Sequence, residues 1–252
     1  MDSSFSSGDL RLAAHLAQPA RAAAGPRPAL VLCHGFPAGP GGAATSAQTY
    51  PDLADHLAAE TGWSVLAFNF RGAGESEGEF SLQGWLDDLR AGIGHVRSLP
   101  RSSGVWLAGS SAGGALTVCA AALDGGVRGV ATLAAPAEFD GWANDPRAFL
   151  GHCRQVGVVR TAAFPPDVEA WAREFKEIQP LTAVADVPPR PLLVLHGAED
   201  PTVPVSDARA LVDAADGQAD LRVIVGAGHR LRHDPRAVAA LIGWMERQEV
   251  GS

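Results

Sequence analysis

Gly109-Ser110-Ser111-Ala112-Gly113 sets a serine between two glycines, directly after the apolar run Val105-Trp106-Leu107-Ala108 and just before a small-residue, helix-like stretch from about Gly114. The pattern spells a strand, a sharp turn and a helix, with Ser111 on the turn. A side chain held there takes a strained backbone conformation, and the residues two positions to either side must be tiny so that helix and strand pack closely. Ser111 is therefore the candidate nucleophile. Ser110 lacks the paired glycines, and its hydroxyl, one position earlier, points elsewhere.

A serine hydroxyl is a poor nucleophile at neutral pH. It needs an adjacent base, and the base needs a group that fixes its tautomer. Asp200 lies in Leu195-His196-Gly197-Ala198-Glu199-Asp200-Pro201, and His229 in Gly226-Ala227-Gly228-His229; each follows a strand-like run. Ser111, Asp200 and His229 are thus expected just beyond strand ends on one sheet edge, where open α/β sheets bind ligands. Attack on a carbonyl leaves an oxyanion that two aimed N–H groups must hold, each worth about 3 to 4 kcal/mol. Ala112 supplies one. His34-Gly35-Phe36-Pro37 supplies the other through Phe36, since Pro37 has no N–H.

Each assignment has rivals. His233 stands four residues after His229, but it precedes Asp234-Pro235 and reads as part of a helix-capping segment. His34 and His196 precede glycines at strand ends and read as loop-shaping residues. Glu138 and Asp140 follow another strand and are alternative positions for the acid, while Glu199 is expected to project away from Asp200. Arg71, in Arg71-Gly72-Ala73-Gly74-Glu75-Ser76, reads as structural, its guanidinium satisfying loop carbonyls. Gly72, Gly74 and Gly78 have the wrong spacing for a dinucleotide loop, and no helix opens there. His229 and His233 enclose Arg-Leu-Arg with no glutamate, and Pro235 limits any helix carrying both, so no metal and no other cofactor is expected.

The positioning elements follow from periodicity. Strands are expected at Asp9–Ala17, Ala29–Cys33, Ser64–Phe70, Val105–Ala108, Val127–Ala134, Pro191–Leu195 and Leu221–Val225. Helical spacing recurs at Tyr50, Leu53, Ala54 and Leu57, at Leu82, Trp85, Leu86 and Leu89 through Ile93 and Val96 to Pro100, and at Ala237–Met245. Ala20–Ala24 reads as a turn. The alternation predicts an α/β fold: a mostly parallel central sheet with helices on both faces. One interruption, residues 137–190, is an insertion after the sixth core strand. Its stripe of Val168, Trp171, Ala172 and Phe175 reads first as core packing and second as a small lid facing the substrate.

With 46% hydrophobic residues, a chain of 252 residues can bury a full core, and a single domain over 1–252 is expected. A net charge of -8 and no basic tract argue against a nucleic-acid partner. The start lacks a cationic segment followed by an apolar one, and no apolar run approaches the roughly 18 residues of a membrane span. A cytoplasmic location is the expectation. Cys33, Cys119 and Cys153 are expected to be reduced and structural. The only lysine, Lys176, reads as a solvated helix position and lies in no glycine-rich loop, which excludes a P-loop.

Taken together, Gly109–Gly113, Asp200 and His229, in the order Ser, Asp, His, resemble the α/β-hydrolase superfamily. The likeness extends to His34-Gly35, to Asn69-Phe70-Arg71-Gly72-Ala73-Gly74-Glu75-Ser76 and to His196-Gly197, and runs from Asp9 onward. Within the superfamily the chain looks most like compact serine hydrolases related to the catalytic domains of dipeptidyl aminopeptidases and acylaminoacyl peptidases, and to bacterial esterases. The resemblance implies an α/β-hydrolase fold and a metal-free serine hydrolase acting on a small-molecule acyl substrate, with ester hydrolysis first. Thioester, amide and aminopeptide cleavage use the same parts, and a binding protein that keeps the fold without turnover is the reading from another class. A carboxylate nucleophile, as in a dehalogenase or epoxide hydrolase, is excluded by serine at 111.

Overall fold

The hairpin that opens the chain sets one end of the sheet: β1 (Asp2–Ser7) turns at Gly8-Asp9 into β2 (Leu10–Ala17), pairing antiparallel with Phe5 opposite Leu12. In this computed structural model residues 2–19, 25–45 and 48–249 are described. The turn expected at Ala20–Ala24 lies outside them. After β3 (Arg27–Cys33) come α1 (Tyr50–Thr61), β4 (Ser64–Phe68), α2 (Leu82–Arg97), β5 (Ser102–Ser110), α3 (Ala112–Leu123) and β6 (Val127–Leu133). The segment after β6 carries α4 (Asp140–Ala143), α5 (Pro146–Val156), α6 (Val168–Glu177) and α7 (Pro180–Ala183). The chain then continues through β7 (Leu192–Gly197), α8 (Val205–Ala214), β8 (Asp220–Ile224) and α9 (Pro235–Glu249).

Among the described residues the eight strands form one sheet in the order β1-β2-β4-β3-β5-β6-β7-β8. Pairing is antiparallel from β1 to β4 and parallel from there to β8. The inner strands β3, β4, β6 and β7 are apolar on both faces, as a parallel sheet covered on both sides requires. One face packs against α2, α3, α8 and the segment between β6 and β7, through Trp85, Leu89, Leu116, Phe149 and Leu211. The other packs against α1 and α9 through Leu57, Leu241 and Trp244. Helix ends carry expected signals: Ser81 accepts the Gly84 N–H at 2.9 Å and starts α2, and Gly62, at φ 75°, stops α1.

The expected elements shift in places. The N-terminal strand expected at Asp9–Ala17 begins at Leu10 and has an additional partner in β1, whose serine-rich sequence offers only Phe5 as an apolar signal. The strand expected to run to Phe70 ends at Phe68, with the Asn69 N–H still donating to the Ala13 carbonyl of the antiparallel neighbour β2 at 2.9 Å. Helix α3 starts at Ala112, two residues before Gly114, and the strand at Leu221–Val225 is displaced by one residue. Helix α8 has no counterpart in the sequence reading. Within the insertion, Trp171 and Phe175 are buried in the sheet's own core, while Lys176 is exposed. The three cysteines are free and buried. Among the described residues no helix is long and apolar enough to cross a membrane.

Candidate active site

Ser111 is the hinge between β5 and α3, at φ 52° and ψ -128°, a left-handed conformation that a non-glycine residue adopts only when its surroundings hold it there. Two backbone bonds do so. Its N–H donates to the Leu133 carbonyl at 2.8 Å, and its carbonyl accepts from the Ala115 N–H at 3.0 Å. The flanking glycines are required sterically. A Cβ on Gly109 would lie 2.6 Å from the Gly113 carbonyl carbon, and one on Gly35 would lie 2.8 Å from the Ser111 Cβ.

β7 and β8 deliver the other two residues to the same sheet edge. The loop after β7 is stitched to the loop after β8: the Ala198 N–H donates to the Ile224 carbonyl at 3.0 Å and the Glu199 N–H to the Ala227 carbonyl at 3.0 Å. Across that seam the His229 Nδ1–H donates to Asp200 Oδ2 at 2.8 Å, and Nε2 stands 3.1 Å from Ser111 Oγ. A carboxylate only accepts, so the proton sits on Nδ1, and Nε2 offers its lone pair to the Ser111 hydroxyl.

The Asp200 side chain is shielded from solvent. Burial pushes its pKa up, but N–H bonds from Val203 and Thr202 to Oδ1, at 2.9 and 2.8 Å, together with His229, outweigh burial and hold the carboxyl below its ordinary range. Asp200 is thereby kept ionised beside the imidazole. His34 is held in the opposite sense. Burial drives its pKa down to about 4 against the favourable bond to Gly35, with Arg232 adding to the depression. Its Nδ1–H donates to the Gly35 carbonyl at 2.8 Å and its Nε2 accepts the Phe70 N–H at 3.1 Å, so a neutral ring ties the loop after β3 to the loop after β4.

Phe36 and Ala112 both line a cleft of about 1340 Å³ that opens over Ser111. Among the described residues neither backbone N–H donates a hydrogen bond to the protein. One wall of the cleft comes from the loops after β7 and β8, including Glu199, Thr202, Arg230 and His233. The other is aromatic and comes largely from the insertion: Trp142 stacks on Phe149 at 4.5 Å, and the Phe36 ring packs at 5.0 Å from Trp142 and 5.4 Å from Phe149.

The rival residues are placed differently. Glu138 is exposed on the cleft wall and Asp140 is exposed at the start of α4, while Asp200 takes the His229 Nδ1–H. Glu199 is exposed, and His233 sits on the rim with its pKa lowered by burial and by Arg232 and Arg230. Among the described residues no group of three or more His, Cys, Asp or Glu side chains is arranged to hold a metal ion. Arg71 is structural, but its partner corrects the expectation of loop carbonyls: its guanidinium grips the fully buried Asp88 carboxylate, with Nη2 2.7 Å from Oδ1. Asp88 interrupts the apolar stripe of α2 three residues after Trp85, and that was the available signal. The sequence reading also did not identify the aromatic wall of Trp142 and Phe149.

A model of the alpha/beta hydrolase family matches residues 30–241. Comparison with curated proteins gives no significant match. Est1E from Butyrivibrio proteoclasticus, solved with ferulic acid bound, superposes with a TM-score of 0.75 at 18% identity over 99% of this chain and 98% of that one. The Pyrococcus furiosus esterase Pf2001 gives 0.69 at 18% identity over 98% and 91%. A proline iminopeptidase from Mycobacterium smegmatis gives 0.70 at 18% identity over 100% and 99%. At these identities the likeness is one of fold.

Proposed function

The chain belongs to the alpha/beta hydrolase family, and on that footing we propose that it is a serine hydrolase cleaving a carboxylic ester through an acyl-enzyme. The observation that carries the reading is the unbroken path from Asp200 Oδ2 through His229 to Ser111 Oγ, with steps of 2.8 and 3.1 Å. Ser111 Oγ attacks the ester carbonyl while its proton passes to His229 Nε2. Asp200, kept ionised, stabilises the imidazolium that results. The Phe36 and Ala112 N–H groups receive the oxyanion. The imidazolium then returns its proton to the departing alcohol, and a water activated by the same Nε2 hydrolyses the Ser111 ester.

The aromatic wall supports an apolar or flat acyl group lying against Phe36 and Trp142, with the more polar alcohol toward the loops after β7 and β8. Est1E, whose structure holds ferulic acid, is a neighbour in fold with such a ligand. Amide or thioester cleavage would use the same residues, and an ester is preferred over an amide because an alcohol departs with less proton delivery than an amine does.

A fluorophosphonate probe should label Ser111, and Ser111→Ala should lose both labelling and turnover of small p-nitrophenyl esters while keeping the native fold. Near-normal turnover by Ser111→Ala would overturn the assignment. A folded native protein that neither labels nor turns over esters, thioesters or aminoacyl amides would favour a ligand-binding role.

A further inference from the structure

His196 is a fully buried, titratable side chain that the mechanism above does not use. It is the penultimate residue of β7, on the strand that leads into the Asp200 loop. Its Nε2 lies 3.0 Å from the Val203 carbonyl and 3.5 Å from Asp200 Oδ2. A carbonyl only accepts, so Nε2 carries the proton and donates to the Val203 carbonyl, with Asp200 Oδ2 beside that N–H. Its Nδ1 is buried with no hydrogen-bond partner among the described residues. An apolar side chain would fill this place without leaving a buried nitrogen unsatisfied. The chemistry that justifies histidine is therefore on the Nε2 side.

Resting on the serine-hydrolase reading, we propose that His196 is a positioning residue for Asp200. Val203 is held from two directions: its N–H donates to Asp200 Oδ1 at 2.9 Å, and its carbonyl accepts from His196. His196 thus clamps the turn that aims the carboxylate, and its N–H adds positive potential beside Oδ2, the oxygen that receives the His229 Nδ1–H. The charged and titratable groups on that oxygen are His229, from the loop after β8, and His196, from β7. Without the His196 N–H, Oδ2 becomes a stronger base toward the imidazole, and its aim loosens.

The test compares His196→Leu and His196→Gln with the native enzyme on one p-nitrophenyl ester, with rates normalised to the folded fraction measured by near-ultraviolet circular dichroism. His196→Leu should lower kcat by roughly tenfold to a hundredfold with KM little changed. It should also move the acid limb of the rate profile upward by about half a unit. His196→Gln, whose amide can still donate to the Val203 carbonyl, should recover most of kcat. An unchanged kcat and acid limb in folded His196→Leu would overturn the proposal. So would nitrogen-15 spectra of the native protein that place the His196 proton on Nδ1 rather than Nε2, a measurement that needs no variant to fold. Failure of the serine-hydrolase reading would show separately, as a native protein without esterase turnover or fluorophosphonate labelling.

Discussion

Gly113 presses against His34: a methyl group built on Gly113 would overlap the His34 carbonyl. The contact joins the first turn of α3 to the end of β3, so the strand that delivers Phe36 and the helix that begins at Ala112 meet without a side chain between them. The two N–H groups assigned to the oxyanion are spaced by this approach.

Gly113→Ala should therefore harm function more than folding. The added methyl has backbone on its far side and no flexible neighbour to displace, and overpacking of this kind destabilises by about 1 to 3 kcal/mol. Separating α3 from β3 also moves Ala112 away from Phe36, and turnover should fall by more than roughly a hundredfold. Urea unfolding and ester kinetics on the same preparation check both; full activity would show that the donors are not spaced by this contact.

Ser111 occupies a backbone conformation that favours glycine. Ser111→Gly should consequently raise stability by about 1 kcal/mol, after allowance for the entropy glycine loses on folding, while abolishing turnover. A stabilised, inactive variant is the expected outcome in a thermal melt. A destabilised one would mean that the Ser111 side chain contributes more to packing than its strain takes away.

Acid should weaken the fold before it reaches ordinary carboxylate values. The unfolded chain protonates His34 near 6.5, whereas the folded one resists until about 4. The unfolded state thus binds more protons across this window, so this stabilisation is complete above about 6.5 and is lost as pH falls toward about 4, amounting to on the order of 3 kcal/mol. Asp200, whose folded pKa is depressed, acts in the same direction further into acid: its stabilisation is present above the unfolded carboxylate value and is lost as pH falls through the folded one. Urea unfolding across this range should show the decline, and His34→Asn, though less stable at neutral pH, should show a flatter one. Equal slopes in the two proteins would count against His34 as the source.

Ser111, Asp200 and His229 could be picked out of the sequence because each follows an apolar run and because the turn at Ser111 demands glycine on both sides. Those signals are local. The Arg71–Asp88 pair was not readable in the same way: an arginine in a glycine-rich loop gives no sign of its partner, and a lone carboxylate in a helical stripe looks like an irregularity until the helix is docked. β1 takes its strand conformation from pairing with β2 rather than from its serines. The insertion hides the most, because Trp142 on the cleft and Trp171 in the core are the same residue type, and only the path of the loops between α4 and α6 sends one to each side.

Trp142 makes that division testable. It is partly exposed, stacks on Phe149 and packs on Phe36, so Trp142→Ala removes a face of the cleft and leaves Ser111, His229 and Asp200 untouched. Esters with an aryl or branched apolar acyl group should lose roughly tenfold in kcat/KM, about 1.4 kcal/mol of transition-state binding, whereas acetyl esters, too short to reach the wall, should change little. Active enzyme is counted by fluorophosphonate titration, so that partial unfolding is not mistaken for weaker binding. An equal loss on acetyl and aryl-acyl esters would mean that Trp142 acts by holding the Phe36 loop rather than by touching the acyl group. A loss confined to the alcohol side would reverse the orientation assigned to the substrate, since the aromatic wall would then receive the leaving group.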